Sequence, residues 1–323
     1  MARKPPVVPE PAEAAPEPPL RVSEPGIYDM GEAAYHADPA PVPSLSRSIA
    51  KVMLEGSPAH AFAGHPRLGG SASGTIASGH EDLDVGTAAH AMFLQGLDLI
   101  EEIPVKAYQS NDAKAKRDDA ISRGMIPLKS AAYSNARQVF DALAKFRERT
   151  GLFTAGLAEQ TLVWDEGDLW CRCRVDWLPD DASAPLLDLK TTGQLAATWG
   201  KTCFTFGGDI QASMYPRGCE FLRGEAPAGM LFIVIETKPP YAIKIFELDP
   251  IAVDVGHAKA EVARRTWTRC MNSGEWPSYP LEPEIVLPPP WIISQWESAK
   301  IGMADPIRFV DMVRQQPDEA EPC

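Results

Sequence analysis

The chain has 323 residues, 45% of them hydrophobic, which suffices for one large or two ordinary domains around a sizeable core. The formal net charge of −13 argues, taken alone, against a nucleic-acid partner, because such partners are held by basic surface. Part of that acidity sits in the tails, at Glu10, Glu13 and Glu17 and at Asp318, Glu319 and Glu321, so a local basic groove stays open.

No apolar run is long enough to span a bilayer, and no apolar segment follows Arg3 and Lys4 as a secretory leader requires. Six cysteines are present, with no CxxC pair and no framework spacing. A cytoplasmic protein with reduced thiols, no zinc site and no membrane partner is therefore expected.

Residues 1–24 are rich in Pro, Ala and Glu and predict a disordered tail. Structure is expected from Gly26-Ile27-Tyr28. Ser44 or Ser46 should cap a helix carrying Ile49, Val52, Met53 and Leu54, and Ser57-Pro58 closes it or opens the next. Residues 69–79 read as a Gly/Ser-rich loop, and Asp84-Val85-Gly86-Thr87 leads into an apolar helix over 88–94. After a polar, charged stretch at 108–124, Ala132, Ala136, Val139, Phe140, Leu143 and Phe146 recur at helical spacing.

The character changes at Glu159. Residues 160–164 and 169–178 read as the strands of a hairpin around Asp165-Glu166-Gly167-Asp168, and 186–191 as a third strand. A long helical region follows over 196–222, then strands at 229–237 and 241–248, and a helix over 253–272. This order predicts a mixed α/β core with a helical N-terminal lobe. The expected domain covers 25–275, with the lobe at 25–150 and the core at 151–275, followed by a Pro-rich extension at 276–323.

The chemistry is concentrated at Asp176 and at Asp188-Leu189-Lys190. Alternation puts Leu169, Cys171, Cys173 and Val175 on one face of their strand and Arg172, Arg174 and Asp176 on the other. In the next strand Asp188 and Lys190 share a face opposite Leu187, Leu189 and Thr191. Acidic and basic groups flanked by core residues are costly unless paired or metal-bound. Phosphodiester hydrolysis uses that combination: carboxylates hold Mg²⁺, and an ammonium orients water or offsets developing charge. A solvated Asp–Lys pair is the plain alternative for the triplet by itself. On the next predicted helix Gln211 and Tyr215 share a face, although Pro216 is expected to kink or end that helix. His90 follows the small residues of Gly86-Thr87-Ala88-Ala89, which would let its helix approach the sheet, and Glu159 stands at the entrance to the first strand.

Taken together, the GTAAH helix, then Glu159, Asp176 and DLK on a hairpin and adjoining strand, then Gln211 and Tyr215, resemble the RecB-like branch of the PD-(D/E)XK nucleases. The likeness is to the exonuclease VIII (RecE-like) group of phage type. Tyr35-His36, Ser44-Leu45-Ser46, Ser57-Pro58-Ala59-His60, Cys171 to Trp177 and Asp188 to Thr192 add to it, over roughly residues 26–275. The resemblance implies a restriction-endonuclease-like core, a central mixed sheet flanked by helices. It implies Asp176, Asp188 and His90 as ligands of Mg²⁺, with Mn²⁺ as a substitute, and Lys190 as the catalytic lysine, acting as base or as electrostatic stabiliser. Gln211 and Tyr215 would complete the site, with Glu159 beside it. It further implies an exodeoxyribonuclease on double-stranded DNA ends, a single-strand-annealing recombinase as partner, and a ring-shaped homo-oligomer. Arg172, Arg174, Lys201 and the stretch from Lys114 to Arg123 are the candidate DNA contacts. Two other readings are an iron–sulfur nuclease, disfavoured because no cysteine precedes Cys171, and a nuclease-derived binding module without turnover.

Overall fold

In the computed structural model of the chain, residues 20–69 and 81–299 are described, without the side chains of 81–84 and 297–299. Most of the expected N-terminal tail, and the Gly/Ser-rich loop beyond Gly69, lie outside them. Two compact units divide at residues 279 and 280. Within the expected tail, Val22 is already buried and Arg21 donates to Asp38 O at 2.7 Å, so packed chain begins before residue 25.

The first unit opens with β1 (Gly26–Asp29), α1 (Glu32–His36), β2 (Leu45–Ser46), α2 (Arg47–Glu55) and α3 (Pro58–Gly64). Ser46 caps α2 by accepting from Ile49 N, and Pro58 opens α3, where its missing N–H costs nothing. Next come α4 (Glu81–Leu94), β3 (Ile100–Ile103), α5 (Asn111–Ser122), β4 (Ile126–Lys129) and α6 (Ser130–Thr150). The polar stretch thus forms a helix, α5, and β3 and β4 pair as a small parallel sheet that periodicity did not reveal. The core continues through β5 (Gly156–Asp165), β6 (Trp170–Pro179), β7 (Leu186–Thr192), α7 (Trp199–Thr202), α8 (Gly208–Arg223), β8 (Met230–Glu236), β9 (Ile243–Glu247) and α9 (Pro250–Ser273). The second unit holds α10 (Pro290–Ala299).

The helical region expected over 196–222 is broken by a turn at 203–207, because Gly207 takes a left-handed φ of 72° ahead of α8. Pro216 does not end α8, which runs on to Arg223. Burial of Ile210, Met214 and Cys219 on its inner face outweighs the roughly 3 kcal/mol that an internal proline costs.

The fold is a mixed α/β sandwich with a central mixed sheet flanked by helices. Strand order is β1-β5-β6-β7-β8-β9, with β7 and β8 parallel and β2 lying parallel to β6 off the main path. One face packs Leu162, Cys173 and Phe232 against α2, α8 and α9 through Met53, Met214 and Trp267. The opposite face packs Leu189, Ile233 and Ile235 against α4 and α6 through Met92, Val139 and Leu143. The five described cysteines, Cys171, Cys173, Cys203, Cys219 and Cys270, are buried and unpaired. Among the described residues no helix is long and apolar enough to cross a membrane.

β6 pairs with β7 only at Trp177 and Leu187, while its first half pairs with β2 at Leu45 and Ser46. The two central strands therefore part, and β2 occupies the far arm of the fork.

Candidate active site

Asp176 stands at the parting. With no strand partner on that side, Leu189 N donates to Asp176 Oδ2 at 2.8 Å, so a side chain replaces a rung of the ladder. β5 is interrupted at the same level. The paired residues of β5 and β6 omit Glu159 and Asp176, and Glu159 has a φ of 55°, which is rare away from glycine. The interruption resets the alternation: Val175 packs on the α8 side of the sheet and Trp177, two residues on, on the α4 side.

His90 reaches this point from α4. Its Nε2 lies 3.1 Å from Asp176 Oδ2 and its Nδ1 3.3 Å from Glu159 Oε1. The approach depends on Gly86, one turn earlier, where a Cβ would stand 2.6 Å from Thr191 Oγ1. Burial disfavours charge on His90, but the charge and hydrogen bond of Asp176, with Glu159, lift its pKa above the ordinary imidazole value. Burial likewise opposes ionisation of Asp176, and the charge and hydrogen bond of His90, with Lys190 and Leu189 N–H, hold its pKa below the usual carboxylate value.

Asp188 comes from β7. Lys190 Nζ lies 2.5 Å from its Oδ2, and Gln211 Nε2 on α8 donates to its Oδ1. Its pKa is nonetheless raised, by burial first and by the neighbouring Asp176 charge, against the pull of Lys190. Two adjacent buried carboxylates with pKa values pushed in opposite directions make this cleft a candidate functional site. Tyr215, one turn beyond Gln211, borders the same cleft, and burial keeps its phenol protonated.

These groups line a cleft of about 530 Å³. The structure brings His90, Glu159, Arg174, Asp176, Asp188, Lys190, Gln211 and Tyr215 to it, and leaves Arg172 and Lys201 out. Arg172, a candidate from alternation for either a phosphate contact or a salt bridge to a carboxylate, is turned inward to a buried network. Its Nη1 donates to Ser44 O at 2.6 Å and Ser44 Oγ at 2.8 Å and lies 3.1 Å from Asp38 Oδ1. Arg174 Nε donates to Glu159 Oε2 at 2.7 Å and so braces the carboxylate beside His90. Lys201 is exposed on α7. On α5 and just after it, Lys116, Arg117 and Arg123 pair with Asp112, Asp118 and Asp119. Glu32, His36 and Arg47 also line the cleft; His36 stood in the Tyr35-His36 phrase of the resemblance without an assigned role, and Glu32 and Arg47 carried no signal of their own in the sequence.

The donor set suits a divalent cation. One nitrogen of His90 and one oxygen each of Glu159 and Asp176 lie within 4.8 Å of one another. Of the ligands expected from sequence, His90 and Asp176 belong to this cluster, and Glu159 is its third member. Asp188 adjoins the cluster, its buried Oδ2 paired with the Lys190 ammonium and its Oδ1 accepting from Gln211. Carboxylate oxygens with one imidazole fit a hard or borderline ion, and binding through His90 requires it to release a proton.

Residues 46–285 match the family described as PDDEXK-like domain of unknown function (DUF3799). No curated protein is similar enough to the chain to count as a match. Among solved structures, a crystal structure of a "Putative exonuclease" from Eubacterium rectale aligns with a TM-score of 0.48 at 15% identity, over 78% of this chain and 92% of that one.

Proposed function

The chain belongs to the DUF3799 family of PDDEXK-like domains, and from that premise we propose that it is a Mg²⁺-dependent exodeoxyribonuclease acting on the ends of double-stranded DNA. The observation that carries this reading is the convergence of Asp176, Asp188, Lys190, His90 and Gln211 on one cleft at the fork of β6 and β7. Asp176, Asp188 and His90, with Glu159 alongside, are the residues that would hold Mg²⁺, or Mn²⁺ in its place. When bound, the ion would polarise the phosphoryl group and lower the pKa of the attacking water.

The protein groups divide the remaining work. Lys190, about one-third exposed, projects its ammonium from the floor of the cleft, where it can donate to a non-bridging phosphate oxygen or hold the nucleophilic water. Gln211 fixes the orientation of Asp188 from the helix layer above. Arg174 and His90 fix Glu159 from two sides. Tyr215, kept neutral, offers a hydroxyl donor at the edge of the cleft. The preference for DNA ends, a cytoplasmic setting, a ring-shaped homo-oligomer and an annealing recombinase as partner belong to the same proposal and rest on the exonuclease VIII-like motifs.

The test is digestion of linear duplex DNA labelled at its 5′ or 3′ end, with Mg²⁺ or EDTA, beside Asp188→Asn and a closed-circular substrate. Metal-dependent loss of linear DNA, abolished by Asp188→Asn and absent on circles, is the expected result. Cutting of circles would recast the protein as an endonuclease. Binding without cleavage under any divalent metal would replace the enzyme with a DNA-end-binding module.

A further inference from the structure

The turn at 203–207 is rigid yet displays aromatic surface. Gly207 N donates to Phe204 O at 3.0 Å, Phe206 N to Thr202 O at 3.1 Å and Gly208 N to Cys203 O at 2.9 Å, so its backbone is tied on both sides. Phe204 and Phe206 are nevertheless 43% and 63% exposed. Two neighbouring exposed rings on one hydrogen-bonded turn offer apolar surface to an occupant.

The position of the turn identifies the occupant. Arg47, which lines the catalytic cleft, donates from Nη1 to Phe206 O at 2.7 Å. Gln211 N donates to Gly207 O at 3.0 Å, so the helix turn that orients Asp188 is seated on the same loop. Arg47 and Lys201 lie beside the turn, while the Lys51 ammonium pairs with Glu55. The stems of Lys51 and Arg47 run against Gly207, where a Cβ would stand 3.1 Å from Lys51 Cδ and 3.7 Å from Arg47 Cδ, and exposed Lys201 precedes the turn on α7. Exposed rings tied through Arg47 to a cleft that would hold a phosphodiester suit the bases and phosphates of one strand of nucleic acid. A protein partner would be served by the rings, but the flanking positive charge, on a chain of net charge −13, favours a polyanion.

We propose that the Phe204–Phe206 turn is a stacking platform for a nucleobase of the strand whose phosphate lies in the cleft. The inference rests on the nuclease reading and adds to it the recognition of a base, without regard to its identity, as the means of seating the strand. Every base has a π-face, so the platform steadies the strand without selecting sequence.

The experiment places 2-aminopurine at the terminal nucleotide of a linear duplex and follows its fluorescence with the full chain in Ca²⁺, with cleavage of the same duplex in Mg²⁺ measured in parallel. Wild type is expected to quench the probe. Phe206→Ala should lose the quench and raise Kd and KM about 5- to 100-fold, with kcat much less affected, and Phe206→Trp should restore all three. Thermal melting of each variant separates these effects from misfolding. If wild type cleaves but Phe204→Ala, Phe206→Ala and their double variant keep its quench and KM, the platform is overturned and the nuclease reading stands. If wild type neither binds nor cleaves DNA, both fall together.

Discussion

Replacing Arg172 by methionine separates a structural arginine from a DNA-binding one. The guanidinium is buried, bonded to Ser44 and Asp38, and lies 5.7 Å from the centre of the Tyr35 ring. Breaking a buried pair by removing one partner costs about 3–5 kcal/mol. Asp38 would keep the donors Ser44 N at 3.0 Å and Ser44 Oγ at 2.6 Å, with Arg67 Nη1 at 3.4 Å, which places the loss near the lower end. Arg172 Nε is buried without a partner, so methionine also removes one unsatisfied donor. A loss of about 3 kcal/mol corresponds to a fall in Tm of roughly 6–12 °C for a domain of this size. Adding Asp38→Asn should recover part of it, because the uncompensated charge is gone, and asparagine tolerates the left-handed φ of 59° at that position. The assay is urea and thermal unfolding of the two single variants and the double, with DNA affinity measured on folded protein. An unchanged Tm with weakened DNA binding and a salt slope reduced by about 1 would refute the buried-network account and return Arg172 to the DNA surface.

Gly86→Ala should push α4 off β7 and move His90; activity is expected to fall by about 10²-fold or more for an ångström of displacement, with a stability loss of only about 1–3 kcal/mol, and Thr191→Ala in the same chain should restore much of the rate. Acid should destabilise the chain partly through Asp38, whose pKa is lowered because His65, Arg172 and Ser44 together outweigh the opposing effect of burial. A carboxylate depressed on folding contributes stability above its unfolded pKa and loses it as pH falls through the folded value, so urea midpoints should drop below about pH 4, and less steeply in Asp38→Asn. Divalent metal should stabilise by about 2.7 kcal/mol at a hundredfold excess over Kd, read as a rise in Tm; a similar rise in Asp188→Asn and in His90→Ala would count against the assigned ligands. Gly256→Ala should destabilise by about 1–3 kcal/mol, since its Cβ would meet Asp209 O at 2.2 Å where α9 crosses α8, and a wild-type Tm would contradict that close crossing.

Local pattern made the β5–β6 hairpin, the faces of β7 and the helical spacing of α6 and α8 readable from the residues. It also made Asp176, Asp188 and Lys190 conspicuous, because charge inside an apolar strand has few cheap explanations. Period-2 alternation reports which face a side chain takes and nothing about what covers that face. Arg172 therefore stood open between a phosphate contact and a salt bridge, and its partners Ser44 and Asp38 lie well over a hundred positions away in sequence. The fork was hidden for a related reason. Whether two neighbouring strands pair along their whole length depends on β2, only two residues long, and on a left-handed residue at Glu159 that no propensity would place in a strand. Arg47 and Glu32 were illegible because their role comes from the return of the N-terminal segment to the cleft, a tertiary event.

A sheet that opens in its middle creates two fresh inner edges, and unpaired strand edges invite pairing with other chains. Here those edges are sealed: β2 lies along the first half of β6, and the Asp176 carboxylate takes the N–H of Leu189 where β2 no longer reaches. The Asp176 carboxylate thus also closes the inner edge of β7 at the fork. Truncating Asp176 would leave the N–H of buried Leu189 without its partner, at a cost of about 1–3 kcal/mol. Asp188→Asn, which leaves the seal in place, is the sounder way to obtain a silent but well-behaved chain.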